Sequence, residues 1–286
     1  MTMSTKNSQL IPELFAEAVA KGFAGMNAFD GTGCAIIDTS LTSRTIGEKI
    51  SVPYFNALGE FDELSDGEAI TPTQFVSSRE QNAVKRYGLG FNMTRWKKLA
   101  EAGKPYDVAS KMVVEAARRK IDSILVDAAV TNLPEEMTHD ISSEAGSASK
   151  LSYGAFIAAL SKFGDEQDGK ITVIMNSAKW AELVALMGSD GHPIFADAVK
   201  GGGKSIFGCP VVLSDKLTKD GSDNYKTLLV KQGALVAWVN SDVRPTADYK
   251  GATDSEEVMM NMYAVAHRYS ALPGHSKGGV VGLISK

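Results

Sequence analysis

The chain has little of what marks a secreted, metal-binding or nucleic-acid-gripping protein. It holds two cysteines in 286 residues, Cys34 and Cys209. They sit far apart and form no metal pattern and no disulfide framework, so two free thiols in a reducing compartment are expected. The four histidines, His139, His192, His267 and His275, are scattered, and none has a partner at metal-ligand spacing. Basic excess is missing as well. Lys and Arg number 30 against 34 Asp and Glu, a net charge of −4, which argues against a strong general nucleic-acid binder and leaves room only for a local patch. No apolar run approaches the roughly 18–20 residues of a membrane helix. Residues 1–9 are polar, and 10–23 break their apolar pattern with Glu13, Glu17 and Lys21, so no secretory signal is expected. The composition is that of an ordinary globular chain, 44% hydrophobic and 22% charged, made and used in the cytosol.

What stands out is the stretch 47–94. Ile50, Val52 and Tyr54 alternate with Ser51 and Pro53. Further on, Ala83, Lys85, Tyr87, Leu89, Phe91 and Met93 alternate with smaller or more polar residues. Period-two alternation predicts strands with two different faces. Residues 55–81 between them are far too many for an ordinary hairpin turn. An isolated two-stranded ribbon is marginal in water, so such an arm makes sense if another copy of the chain covers it. Pro53 lacks a backbone donor and suits an edge strand.

The rest reads as a series of units. An amphipathic helix is expected over 11–23, followed by a glycine-loosened segment. Thr94 is a plausible N-cap for a short helix over 95–102, with Gly103 as its stop. Pro105 and Asp107 suit the first turn of a long helix over 106–129. Its apolar stripe is Val113, Ala117, Ile121, Ile124 and Ala128, with Met112, Ala116 and Leu125 beside it. At ~1.5 Å per residue it is a rod of roughly 35 Å, a structural spine. Residues 130–150 read as a connection. A small α/β unit follows over 151–232, with helices at 153–163 and 177–187 and strands at 171–175, 209–213 and 226–230. The last part is strand-dominated, at 234–239, 258–269 and 280–284.

This order of parts resembles the major capsid protein of tailed bacteriophages, the Hong Kong 97 type fold that herpesvirus capsid floors and bacterial encapsulins share. Glu48-Lys49-Ile50-Ser51-Val52-Pro53 followed by Gly67-Glu68-Ala69-Ile70 looks like the extended loop of phage capsid subunits. Gly233-Ala234-Leu235-Val236 ahead of Arg244-Pro245, and Met262 to Arg268 running into Tyr269-Ser270-Ala271-Leu272, look like the peripheral strands. The resemblance implies an α+β fold with an N-terminal arm at 1–46, an extended β-loop at 47–94 and a peripheral domain with the spine helix at 95–150. An inserted axial α/β domain at 151–232 and peripheral β-hairpin strands with a C-terminal return at 233–286 complete it. It further implies a subunit that forms pentamers and hexamers of an icosahedral shell around double-stranded DNA. Such a shell would be assembled in the host bacterial cytoplasm and found in the virion. Its partners would be further copies of the chain, a portal, a separate scaffolding or decoration protein, and DNA contacted without sequence preference. No membrane and no cofactor is implied.

Candidate contact residues follow from the arm. Its tip is acidic, with Glu60, Asp62, Glu63, Asp66 and Glu68 within nine positions. This is either a solvated turn or a dock for a basic strip of the next subunit, with Arg118, Arg119, Lys120, Arg244 and Lys250 as candidates. Exposed pairs of this kind contribute only about 0–1 kcal/mol each and serve register more than affinity. Tyr54, Phe55, Phe61 and Phe75 are expected to supply more of the stabilisation. Some members of the resembled family weld their shell through a lysine on this loop, but 51–84 contains no lysine, so assembly is expected to be non-covalent.

Chemistry is otherwise sparse. Gly201-Gly202-Gly203-Lys204-Ser205 resembles the end of a phosphate loop, but Ala198 stands where the pattern needs glycine and a strand is expected to follow. There is no Gly-x-Ser-x-Gly elbow. Glu135/Glu136 and Glu256/Glu257 lie in polar segments where solvation explains them, and His267, in an expected strand, reads as structural. The chain is therefore expected not to be an enzyme. An encapsulin-like compartment shell and, from another class, a cytosolic α/β enzyme using 151–232 stay open at this point.

Overall fold

The computed structural model describes residues 19, 21–22, 28–41, 49–55, 63, 69, 77–94, 105–144, 146–167, 169–186, 204–240, 245–272, 275 and 277–286. In chain order the strands are β1 (Ala35–Asp38), β2 (Lys49–Phe55), β3 (Ser77–Ala83), β4 (Lys85–Thr94), β5 (Thr138–Asp140), β6 (Ile171–Met175) and β7 (Ser205–Ile206). They continue with β8 (Cys209–Leu213), β9 (Tyr225–Lys231), β10 (Leu235–Val239), β11 (Thr246–Lys250), β12 (Ser255–Arg268) and β13 (Val280–Ser285). The helices are α1 (Pro105–Val130), α2 (Tyr153–Ser161) and α3 (Ser177–Val184).

β12 organises the first sheet. Along one edge β4 pairs antiparallel with it for ten residues, from Ser255↔Thr94 to Ala264↔Lys85. Along the other, β11 takes its first five residues and β10 its last five, and β1 adds parallel to β10. Val258, Met260, Met262 and Ala264 alternate inward onto α1, which answers with Val113, Ile121, Ile124 and Leu125. The helix runs one residue further at each end than the sequence predicts. Asn132 stops it in a left-handed conformation, φ 52°, which asparagine tolerates better than most residues. Met112, expected beside the buried stripe, is 68% exposed, because it lies on a flank that the sheet does not reach.

The second sheet has the order β5-β13-β9-β6-β8-β7, and both of its faces are covered. Ile174, Val212, Leu228, Val230 and Val280 join the core under α1. Val173, Met175, Val211, Leu229 and Val281 turn the other way, onto Phe156, Ala159 and Phe163 of the α2 region. This accounts for the almost wholly apolar text of β6, Ile-Thr-Val-Ile-Met, all of it buried. Ser152 and Asn176 cap the two short helices, accepting from Ala155 N at 3.3 Å and Ala178 N at 2.9 Å.

Several expectations need correction. The second strand of the arm is Ser77–Ala83, not the run from Ala83 onward, and β2 pairs with it from Lys49↔Ala83 to Phe55↔Ser77. The alternation from Lys85 to Met93 is real but belongs to the first sheet, where Tyr87 and Phe91 pack onto the core. The stretch read as a connection contributes β5, and β13 joins the second sheet rather than the one holding β10 and β12. β1 and β11 carry too few apolar alternations to stand out. The helix expected at 95–102, most of that at 11–23, and the glycine loop 201–203 lie outside the described residues.

Gly279 shows how tightly the two sheets are joined. A Cβ at this position would lie 2.6 Å from Ala234 Cβ and 3.0 Å from Leu272 Cδ1, and both neighbours are buried. Gly279→Ala is expected to destabilise the subunit by about 1–3 kcal/mol. Gly154→Ala, where a Cβ meets nothing within 4 Å, is expected to stabilise α2 by up to about 1 kcal/mol. Denaturant midpoints of the two variants check both signs.

Candidate assembly interface

The arm leaves the first sheet as a continuation of β4, so its root is fixed by whatever holds β3 beside the end of β12. In the ribbon Ile50, Val52, Glu80 and Asn82 face inward and are covered to differing degrees, while Ser51, Arg79 and Gln81 are exposed. The inward polar pair meets the end of β12. Asn82 Nδ2 lies 2.7 Å from His267 Nδ1, Glu80 Oε2 lies 3.6 Å from His267 Nε2, and the Ser270 hydroxyl donates to Glu80 Oε1. One residue along, Arg268 Nη2 donates to Asn132 O at 2.8 Å, just past the C-terminus of α1, where a cation is favourably placed. Arm, sheet and helix are therefore tied at His267, Arg268 and Ser270. Beside them opens a polar cleft of about 730 Å³.

A second hollow, of about 380 Å³, lies further along β4 and is largely apolar, lined by Tyr87, Leu89, Val113, Ala116, Ala117, Met260 and Met262. Leu89 points to the same side as Tyr87 and Phe91 yet stays 44% exposed. Ala116 and Ala117 are too short to reach it. The hollow and the exposed Met112 and Val108 give the outer flank of α1 an apolar surface.

The expected contact residues fall into three groups. Tyr54 and Phe55 lie in the ribbon, opposite Ser78 and Ser77. Glu63 is exposed, whereas Glu60, Phe61, Asp62, Asp66, Glu68, Phe75 and Arg244 lie outside the described residues. The remaining basic candidates are occupied within the subunit. Arg118 donates Nε and Nη2 to the two oxygens of Glu115 at 3.1 and 3.0 Å and Nη1 to Asp122 at 3.3 Å. Arg119 Nε donates to Glu115 at 3.0 Å, Lys120 lies 4.8 Å from the centre of the Tyr87 ring, and Lys250 pairs with Glu257 at 2.6 Å. A docking carboxylate must compete with these partners. The arm-root cluster itself was not among the sequence candidates; its one textual trace is the polar run Ser-Arg-Glu-Gln-Asn immediately before the alternating β4.

No group of three or more His, Cys, Asp or Glu among the described residues could hold a metal ion. Burial raises the Cys34 and Cys209 thiols above their usual range, which leaves them poor nucleophiles. The model of the Gp13-like family, described as major capsid protein 13-like, matches residues 56–266. The chain belongs to this family of major capsid proteins. None of the curated proteins matches it. Among solved structures, it is similar to the chain titled "Capsid of native GTA particle computed with C5 symmetry", at 12% identity and TM-score 0.65 over 88% of each chain. It is also similar to one from Mycobacterium phage Bobi (12%, TM-score 0.60, 91% of each) and one from Mycobacterium phage Cain (11%, TM-score 0.61, 89% of each). This capsid protein is thus a shell-forming structural subunit with the expected α+β capsid fold, and its place is the virion capsid.

The charge pairing on α1 is directly testable. Arg118 and Arg119 together hold the Glu115 carboxyl down to about 2. A lowered carboxylate contributes stability that is present above its ordinary range and is lost as pH falls towards 2. In the Arg118→Met, Arg119→Met double variant the Glu115 carboxyl is expected to titrate in the usual carboxylate range, read from its carbon chemical shift. An unchanged titration would mean that the arginines do not hold it.

Proposed function

We propose that the chain builds an icosahedral shell of pentamers and hexamers around double-stranded DNA, with the arm that β2 and β3 form laid over the neighbouring subunit. The observation that carries this reading is a two-stranded ribbon, β2–β3, that pairs with itself and leaves the sheet at a fixed root. A two-stranded ribbon needs cover, and its free edges invite pairing by another copy. Apolar contacts from Tyr54, Phe55, Phe61 and Phe75 into surfaces such as the Leu89 hollow supply most of the arm's stabilisation. The acidic tip sets register, because the basic side chains of α1 and Lys250 already have partners. A portal and a separate scaffolding or decoration protein complete the assembly in the host cytoplasm, and DNA is held by confinement rather than by a basic wall. The absence of a lysine from 51–84 supports non-covalent closure, and the role is structural rather than enzymatic.

Electron microscopy and sedimentation of the chain expressed alone test this. Closed particles or capsomer rings are expected. Replacement of 56–76 by Asn-Gly keeps the β2–β3 register with a tight turn and should leave the circular dichroism of the subunit intact while abolishing particles. Leu89→Lys should lower particle yield without unfolding the subunit. Boiled in detergent, the particles should run as single chains. A homogeneous monomer at high concentration that co-expressed scaffold cannot convert would overturn the reading, and particles unaffected by the arm replacement would remove the arm from it.

A further inference from the structure

The root of the arm turns on one histidine. His267 is 4% exposed, on the last turn of pairing of β12, and its Nδ1 meets Asn82 Nδ2 at 2.7 Å. An amide nitrogen only donates, so Nδ1 accepts and the ring proton sits on Nε2. That nitrogen is buried without a hydrogen-bond partner. The Glu80 carboxylate is 3.6 Å away, beyond hydrogen-bond reach, and its other oxygen is taken by Ser270. The Tyr269 ring stands edge-on at 5.3 Å. The charged groups around the adjoining cleft are Glu80 on β3, Lys85 on β4, Lys120 and Asp127 on α1, and Arg268 on β12 itself.

We propose that His267 is an acid-sensitive latch on the arm: its neutral ring holds Asn82 and with it β3, and protonation of the ring releases the root. In the imidazolium Nε2 still faces the Glu80 carboxylate at 3.6 Å, but Nδ1 can no longer accept. With a proton on Nδ1 the ring faces the Asn82 amide nitrogen donor to donor, so the bond that crosses from β3 to β12 breaks and re-forms only if the amide turns its oxygen to the ring. The surroundings oppose the charged ring inside the closed root. Burial lowers its affinity for a proton, Arg268 adds to the effect, and Glu80 only partly offsets it. The sign follows from linkage. A released root exposes a histidine of ordinary pKa, about 6.5, and the closed root holds one below that value. Protons therefore favour release. The closed population is fully favoured above about pH 6.5 and declines as pH falls below it, by at most tenfold per pH unit, until the closed root itself takes the proton. This deepens the shell reading by naming how its arm is regulated, and rests on that reading only for the consequence in assembly, since the latch lies within one subunit.

Hydrogen exchange of the full-length unassembled chain between pH 7.5 and 5, corrected for intrinsic rates, tests it whether or not particles form. Protection of 77–83 is expected to fall as pH drops below about 6.5 while α1 peptides hold theirs. In His267→Gln the dependence should vanish, because the amide does not titrate. In Asn82→Asp it should reverse, since a carboxylate against Nδ1 favours the charged ring in the closed root, and protection should rise on acidification. The two variants separate the latch from mere packing, which would weaken the root equally at every pH. A wild-type root indifferent to pH, the same decline in His267→Gln, or a parallel loss in α1 would overturn the proposal.

Discussion

Everything in the first half of the molecule depends on β12 being paired on both edges at once. A strand of 14 residues that gives one edge to β4 and shares the other between β11 and β10 leaves its side chains only two directions. One of these is the inward row that packs onto α1. Register then propagates: because the side-chain period is two, a one-residue slip of β4 would move Tyr87 and Phe91 out of the core. The helix, the sheet and the take-off point of the arm are three consequences of that pairing. Arg268 shows the economy of it, since the same strand end that positions His267 also closes the C-terminus of α1.

The second sheet solves a different problem. It is shared between two cores, so alternate residues of β6, β9 and β13 serve α1 on one side and α2 on the other. Such a sheet cannot shift without disturbing both layers, and close packing passes displacement on rather than absorbing it. The chain returns from β12 into this sheet through the tight approach of Gly279 to Ala234, which couples the strand carrying the arm root to the α2 layer. In the proposed shell, where a neighbour engages the arm, load on the arm passes to both cores rather than to a loose loop.

How much of this was legible depended on where apolar text coincided with structure. α1, β6 and β8 were read almost to the residue, because Val113, Ile121 and Ile124 recur at helical spacing and Ile171 to Met175 form a short apolar run. The arm was recognised as an arm but given the wrong second strand. Ser77–Ala83 is polar on both faces, because its inward Glu80 and Asn82 meet polar groups at the end of β12 rather than an apolar core. The stronger alternation of β4 drew the reading away, although its inward face is explained by α1. β13 was seen as a strand, but no local feature says which sheet a strand joins. His267 read as structural, and nothing near it in sequence announces Glu80 and Asn82, which lie more than 180 residues away.

The distribution of charge bears on how such subunits recognise one another. The basic residues of α1 looked like a strip waiting for the acidic tip, yet Glu115 and Asp122 already neutralise Arg118 and Arg119, and Lys250 faces Glu257. Exchanging one exposed carboxylate for another gains little free energy, because the pair that forms replaces a pair that breaks. Charge can therefore discriminate against a misplaced arm more readily than it can hold a correct one. In the proposed assembly affinity comes from apolar surface, and the uncovered positions at Leu89, Met112 and Val108 lie along one flank of α1 and the strand beside it. A lattice closed by many such modest contacts can correct errors while it grows, which a few strong ion pairs at each junction would prevent.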